Sequence, residues 1–187
     1  TQVALSHPRD AASYRDTLAS NAEEYQRLAR MVSDMLFLAK ADRGIALPNP
    51  EKLELSDEVS ALFEFYEAVA EDLGIELTAE GHGQVFGDRL MIRRAISNLL
   101  SNALRHAEPT EIKVSIYCTA EHLCFAVRDN GRGFDMDIPL QPNEHWISLG
   151  LIGIRERIAQ LGGSLKIDSK PNAGTEVSAC LPKEIAA

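Results

Sequence analysis

The chain has 187 residues, 45% hydrophobic and 25% charged, with a formal net charge of −9. That composition is ordinary for a globular protein and leaves room for one full domain plus a small one. The acidic balance excludes the basic footprint of a nucleic-acid binder, but not a nucleotide, whose phosphates a few local cations and a metal ion can offset.

From Ala11 to Ala41 there is no Gly or Pro, and Leu18, Tyr25, Val32 and Ala39 recur at every seventh position with Leu28 and Met35 between them. Such a heptad seam predicts a helix packed in a bundle, which needs partner helices to bury it. "SHPRD" (Ser6 to Asp10) reads as a turn before it, broken by Pro8 and capped by Asp10. The opening "TQVAL" reads as the end of an earlier helix, so the chain is expected to be a piece of a longer protein. "DRGIALPNPEK" (Asp42 to Lys52), with one Gly and two Pro, reads as a linker. The expected division is a helical segment over 1–43, a linker over 44–52 and a globular domain over 53–187.

Within that domain "KLEL" predicts a short strand, followed by a helix capped by Ser56 or Asp57 and ending near Leu73. "IELTAE" and "GQVFGD" predict two strands joined around Gly81, His82 and Gly83. Asp88 opens a helix that should end near His106. "EIKVSIYC" and "HLCFAVRD" alternate apolar and polar residues, which predicts a hairpin buried on one face. A helix from about Ile152 to Leu161 and a last hairpin, "SLKID" with "TEVSACLP", complete the domain. Strands joined by short turns and interleaved with helices predict an α+β fold, with a mixed, mainly antiparallel sheet and helices on one face. The cysteines Cys118, Cys124 and Cys180 lack CxxC spacing, and Cys118 and Cys180 fall in expected strands. Buried free thiols in a reducing, cytoplasmic compartment are therefore expected. No apolar run approaches the length of a membrane span.

Three strings carry chemistry. In "NLLSNALRHA" (Asn98 to Ala107), Asn98, Asn102 and His106 stand four apart on one helical face, beside an apolar stripe of Ile92, Ala95, Ile96, Leu99 and Ala103. In "DNGRGF" (Asp129 to Phe134), Asp129 ends a strand, where a carboxylate can accept a hydrogen bond from an exocyclic amine. Gly131 and Gly133 allow close backbone approach there; an ordinary Asn-Gly turn explains the string equally simply. In "SLGLIGIRERIAQLGG" (Ser148 to Gly163), Gly150 and Gly153 precede an expected helix whose first N–H groups can face phosphate, with Arg155 and Arg157 adding charge. A plain loop with a solvated arginine face is the alternative.

In their order, the strings resemble the ATP-binding domain of sensor histidine kinases, in the superfamily shared with gyrase, heat-shock chaperones and mismatch-repair ATPases. "NLLSNALRHA" is similar to its N box, "DNGRGF" to its G1 box, "GLIG" to its G2 box and "AGTEVSACLP", with Gly174 and Thr175, to its closing strand. The resemblance covers Leu53 to Pro182 and implies a Bergerat-type two-layer fold that binds ATP with Mg2+. Asn102 is implied as the magnesium ligand, with Asn98 beside it lining the triphosphate site as its catalytic companion. Arg105 and His106 are implied near the phosphates and Asp129 at the adenine amino group. Gly131, Gly133, Gly150, Leu151 and Gly153 are implied around the nucleotide, and Thr175 near the adenine end. In the hydrolytic members a glutamate occupies the place of Asn98, and an amide cannot act as a general base. Slow hydrolysis and transfer of the γ-phosphate to a histidine are therefore expected.

"NAEEYQRLARMVSDMLFLAKAD" resembles the second helix of the dimerisation and phosphotransfer hairpin of heavy-metal-responsive sensor kinases, whereas "GLIGIRERIAQLGG" resembles nitrate-sensor kinases. No acceptor motif is visible; His7 in "HPRDAA" does not match it. The resemblance thus implies a homodimer through the helical segment and an acceptor histidine outside this chain. It also implies a response-regulator receiver domain as partner, and a cytosolic position beneath an inner-membrane sensor. A degenerate module that binds nucleotide or a partner without transfer is the alternative, and the lid "DMDIPLQPNEHWIS" is short and lacks the phenylalanine motif usual in the heavy-metal subgroup.

Overall fold

The computed structural model describes residues 49–135 and 145–183 together with Tyr14, Thr17, Leu18, Asn21 and Tyr25, and for 145–150 the backbone alone. The chain divides into two compact units, Thr1–Gly44 and Ile45–Ala187. In the first, the five described residues are helical, and Leu18 and Tyr25 of the heptad seam are exposed. The rest of the seam, the turn at Pro8 and His7 lie outside the described residues, as do residues 136–144 of the expected lid.

The described elements of the second unit are, in chain order, β1 (Pro50–Glu54), α1 (Leu55–Leu73), β2 (Glu76–Glu80), β3 (Gln84–Asp88), α2 (Arg89–His106), β4 (Glu111–Cys118), β5 (His122–Asp129), α3 (His145–Gln160), β6 (Ser164–Ser169) and β7 (Thr175–Pro182). Strands β1 and β3 form a two-stranded antiparallel sheet. The main sheet has the order β2-β4-β5-β7-β6, with β2 parallel to β4 and every other pair antiparallel. The fold is therefore α+β with a mixed, mostly antiparallel sheet and helices on one face. The strands on either side of Gly81–Gly83 do not pair with each other but belong to the two different sheets.

Local chemistry sets the helix ends. Gly74 adopts φ 68° and donates its N–H to the carbonyls of Ala70 and Glu71, stopping α1 in the left-handed conformation that glycine adopts without strain. Asp88 caps α2 by accepting the Met91 N–H at 2.9 Å. Helix α1 starts at Leu55, one residue before the expected caps, so Ser56 and Asp57 sit in its first turn. Arg89 bridges Glu51 of β1 and Glu58 of α1, each at 2.8 Å, and so ties the small sheet to both helices.

One face of the main sheet is apolar. Successive rows across the strands read Ile116–Phe125–Ala179 and then Val114–Val127–Val177–Ile167, and all but the half-buried Ile167 are buried. Above this face α2 buries Ile92, Ala95, Ile96, Leu99, Leu100 and Ala103, while α3 buries Ile154 and Ile158. The opposite face carries Lys113, Ser115, Arg128 and Glu176, as alternation along a strand requires.

The cysteines differ from the sequence expectation. Cys124 and Cys180 face each other in the β5–β7 register with Cα atoms 4.0 Å apart and form a disulfide on that opposite face. Cys118, at the end of β4, is free and exposed rather than buried. The pairing depends on β5 and β7 being neighbours, which their separation of 56 residues along the chain conceals.

Burial differs between Phe125 and Arg128, which predicts unequal costs along β5. Phe125, fully buried, should cost about 3–5 kcal/mol when changed to Ala. Arg128→Ala, on the exposed face, should stay within about 0.5 kcal/mol of wild type. Denaturant unfolding of the two variants checks this.

Candidate functional site

Asn98, Asn102 and His106 lie along one edge of α2 and are half-buried, next to the fully buried stripe of the same helix. The Asn98 and Asn102 amides make no side-chain hydrogen bond among the described residues. Asparagine gains nothing from such a helical position on propensity grounds. An amide oxygen on a half-buried edge is instead a hard donor available to a small cation that keeps most of its waters. No cluster of three or more His, Cys, Asp or Glu suited to a metal occurs among the described residues. Arg105 is exposed in the last turn of α2, where its charge complements the helix dipole.

Asp129, the last residue of β5, is 6% exposed. Its Oδ1 accepts the Gly131 N–H at 2.9 Å and the Thr175 N–H at 3.3 Å. Its Oδ2 takes no hydrogen bond from any described residue and is left to an outside donor. Burial pushes this carboxyl above the ordinary aspartate range, while the two backbone N–H groups pull it back down. Asp129 belongs to the row Ile112–Asp129–Thr175–Ser169. That row is the next on the same face after the apolar row of Val127, so the face changes from apolar to polar where the core ends.

The segment after Asp129 is held by crowding. A Cβ on Gly131 would stand 2.1 Å from the Ala107 carbonyl oxygen at the end of α2, and one on Gly133, at φ 56°, would stand 2.0 Å from the Lys170 carbonyl oxygen. The Arg132 N–H donates to Ala107 O at 2.7 Å, and the Asn172 N–H donates to Arg132 O at 2.6 Å. These contacts join the Asn-bearing helix, the Asp129 loop and the β6–β7 turn. At both glycines a backbone carbonyl occupies the place a side chain would need.

Two further residues were not singled out from the sequence. Asn130 Oδ1 accepts the N–H groups of Thr110 (2.9 Å) and Glu111 (3.1 Å), and its Nδ2 donates to Thr110 Oγ1 at 2.8 Å, which clamps the α2–β4 turn to the loop. Ser169, 6% exposed, reaches Phe134 N, Gly174 O and Thr175 Oγ1. Asn130 was visible as the Asn of an Asn-Gly turn, but Ser169 becomes visible only once the β6–β7 register is known.

The third string differs most from expectation. Helix α3 begins at His145, so Gly150, Leu151 and Gly153 lie within it and do not form a loop ahead of its N-terminus. The phosphate-facing helix start expected at Gly150 and Gly153 is therefore not there. Arg157 is fully buried rather than solvated. With Ile154, Ile158 and Leu161 it makes an i, i+3, i+4, i+7 stripe on the buried side of the helix. Arg155 is exposed. Helix α3 packs against α2, which keeps these residues near the Asn-bearing helix without making them a phosphate cradle.

The helix-covered sheet has counterparts among known proteins. Residues 87–185 match the family described as Histidine kinase-, DNA gyrase B-, and HSP90-like ATPase, and the chain belongs to that family. Among its members the chain is similar to sensor histidine kinases. It is 50% identical over 132 residues to the sensor histidine kinase CusS of Escherichia coli K12, covering 70% of this chain and 27% of that protein. It is 36% identical to the sensor protein IrlS of Burkholderia pseudomallei, covering 93% of this chain and 40% of that one. The chain thus spans about a quarter to two fifths of these relatives' length. Three solved structures share the fold. The histidine kinase AdeS of Acinetobacter baumannii is 16% identical with TM-score 0.77, covering 96% of this chain and 88% of that one. ShkA in complex with AMPPNP is 19% identical with TM-score 0.75 (96% and 41%). ThkA in complex with the response regulator TrrA is 18% identical with TM-score 0.75 (96% and 54%).

Asp129 yields a test that separates stability from binding. A carboxyl raised in the folded state costs stability once it ionises, and the cost is relieved as pH falls through its folded value towards the unfolded one. Asp129→Asn keeps an Oδ1 acceptor for both N–H groups and removes the buried charge. At pH 7 its melting temperature should equal or exceed that of wild type, and any gain should shrink in acid. Thermal unfolding across pH checks this; a clear loss at pH 7 would contradict it.

Proposed function

We propose that this chain is the ATP-binding catalytic core of a two-component sensor histidine kinase. In this reading it binds ATP with magnesium and passes the γ-phosphate to a histidine outside residues 1–187, for relay to a receiver-domain aspartate of a response regulator. The observation that carries the reading is the buried Asp129 carboxylate. One oxygen is saturated by backbone N–H groups and the other is open to the 6-amino group of adenine. Family membership and the similarity to sensor histidine kinases support the reaction class. The nucleotide analogue named with ShkA and the response regulator named with ThkA support the ligand and the partner.

The residues divide the work by their chemistry. Asp129 and Thr175, in one row at the strand ends, orient the base. The α2 edge of Asn98, Asn102 and His106, joined to that row through Ala107 and Arg132, takes the triphosphate end. Asn102 would hold magnesium with its amide oxygen, aided by Asn98; when bound, the ion supplies neutralising charge across the phosphate oxygens. Asn98 offers no proton acceptor for water, so the γ-phosphate is kept for another nucleophile. Arg105, exposed at the end of the same helix, adds positive charge for the phosphates.

The proposal extends to the whole protein. Its helical segment over 1–43 would pair with a second copy, and residues 53–187 would form the catalytic domain after a linker over 44–52. Gly150, Leu151 and Gly153, within α3, would stand near the nucleotide. The kinase core would lie on the cytosolic side of an inner-membrane sensor; no described helix is long and apolar enough to cross a membrane.

Transfer is tested by mixing the chain, magnesium and γ-labelled ATP with a separate polypeptide carrying the acceptor helix. Label on histidine, stable to base and labile to acid, is the expected result. Nucleotide binding without label would leave a binding module and overturn the kinase reading. Asn102→Ala should weaken ATP binding at least about tenfold when magnesium is present, the scale seen when support for a bound metal is lost. Titrations with and without magnesium check this, and the variant should match wild type when the metal is absent.

A further inference from the structure

We infer that Ser169 is a specificity-positioning residue, which fixes the Thr175 hydroxyl as a hydrogen-bond acceptor toward the base and so selects a 6-amino over a 6-oxo purine. The inference rests on the nucleotide-binding reading above and adds the origin of its base selectivity.

The argument is a count of donors and acceptors. A serine hydroxyl has one proton and two lone pairs. Ser169 Oγ lies 2.9 Å from the Phe134 N–H, 3.2 Å from the Gly174 carbonyl oxygen and 2.9 Å from Thr175 Oγ1. The Phe134 N–H can only donate and the Gly174 carbonyl can only accept. The Ser169 proton therefore goes to Gly174 O, one lone pair receives Phe134 N–H, and the remaining lone pair must receive the Thr175 proton. This is the one arrangement in which all three contacts are satisfied. At 6% exposure Ser169 has little access to water that could substitute for a partner.

With its proton turned inward, Thr175 presents only lone pairs outward. Its register partner Asp129 has given Oδ1 to two N–H groups and presents Oδ2, also an acceptor. Two adjacent acceptors favour an amino group and repel a carbonyl oxygen. Losing the Ser169 acceptor frees the Thr175 hydroxyl to rotate and donate, which suits a 6-oxo purine. Ser169 touches no base itself; it acts through Thr175.

The test uses the full chain with magnesium and two probes, ATP and inosine triphosphate, which differ in the 6-substituent. Wild type should prefer ATP. Ser169→Ala should lower the ATP-to-inosine preference by about tenfold, the ratio that corresponds to one such contact. Ser169→Thr, which keeps the hydroxyl, should restore the preference. In the Thr175→Val background, Ser169→Ala should leave the ratio unchanged, because the group it controls is gone. If Ser169→Ala does not fold, Ser169→Cys carries the same prediction, since a thiol is a weak acceptor. A purely structural role would weaken both nucleotides alike, and an unchanged ratio in Ser169→Ala overturns the inference. So does a ratio change that persists in the Thr175→Val background. Wild type binding neither nucleotide would remove the nucleotide reading itself, and the inference with it.

Discussion

The site depends on a carboxylate that is buried and, among the described residues, paired with no cation. Asp129 sits at the end of β5, and its Oδ1 is held by one N–H from its own loop and one from β7, 46 residues further along. Hydrogen bonds to a charged acceptor contribute about 1.5–3 kcal/mol each, enough to offset part of the desolvation cost. The geometry has a price in topology. Thr175 must lie beside Asp129, which fixes the β5–β7 register, and Gly131 must lie against the end of α2. A one-residue slip of β7 would turn every side chain on that strand to the other face. It would bury Glu176 and Ser178 in place of Val177 and Ala179, so the apolar core and the polar site enforce the same alignment.

The glycines show why a motif and its physical cause can differ. In the sequence, Gly131 and Gly133 suggest room for a ligand. In the structure the tightest neighbours of both are backbone carbonyls, of Ala107 and Lys170. Gly174 repeats the pattern at φ 78°, where a Cβ would stand 2.0 Å from the carbonyl oxygen of Asp129 itself. Three chain segments thus converge on the Asp129 loop closely enough that side chains there would push them apart. The motif marks a place where backbone must meet backbone.

Much of this was legible in the sequence. Period-two alternation identified the β4–β5 hairpin and its buried face, and the four-residue spacing of Asn98, Asn102 and His106 marked the polar edge of α2. Asp88 was readable as a cap because a short carboxylate before an apolar helix has little other use. What could not be read came from pairings between distant segments. The Cys124–Cys180 disulfide and the contact of Ser169 with Thr175 both require the order β5-β7-β6, which linear spacing does not encode. The start of α3 was misplaced for a local reason. Gly150 and Gly153 are expected ahead of the helix, although a glycine within a helix costs only about 1 kcal/mol. Tertiary burial of Ile154, Arg157, Ile158 and Leu161 outweighs that, and the burial of Arg157 was hidden by its charge.

The β5–β7 ladder brings these features together. It is tied covalently at Cys124–Cys180 on one face, and five residues along, on the other face, by the Thr175–Asp129 hydrogen bond. Between them run Val127 and Val177, buried beneath the helices. Rigidity is therefore concentrated in the strand pair that presents the two acceptors at the polar row. The α2 edge, by contrast, is attached to that row through a loop of glycines and backbone hydrogen bonds. The two acceptors therefore sit on a strand pair fixed on both faces, while the asparagine edge belongs to a helix held by its apolar stripe against the sheet and by the Ala107–Arg132 hydrogen bond. Under the proposed function, that arrangement gives the base end a fixed frame and leaves the Asn98 and Asn102 amides, which have no side-chain hydrogen bond among the described residues, to the phosphate end.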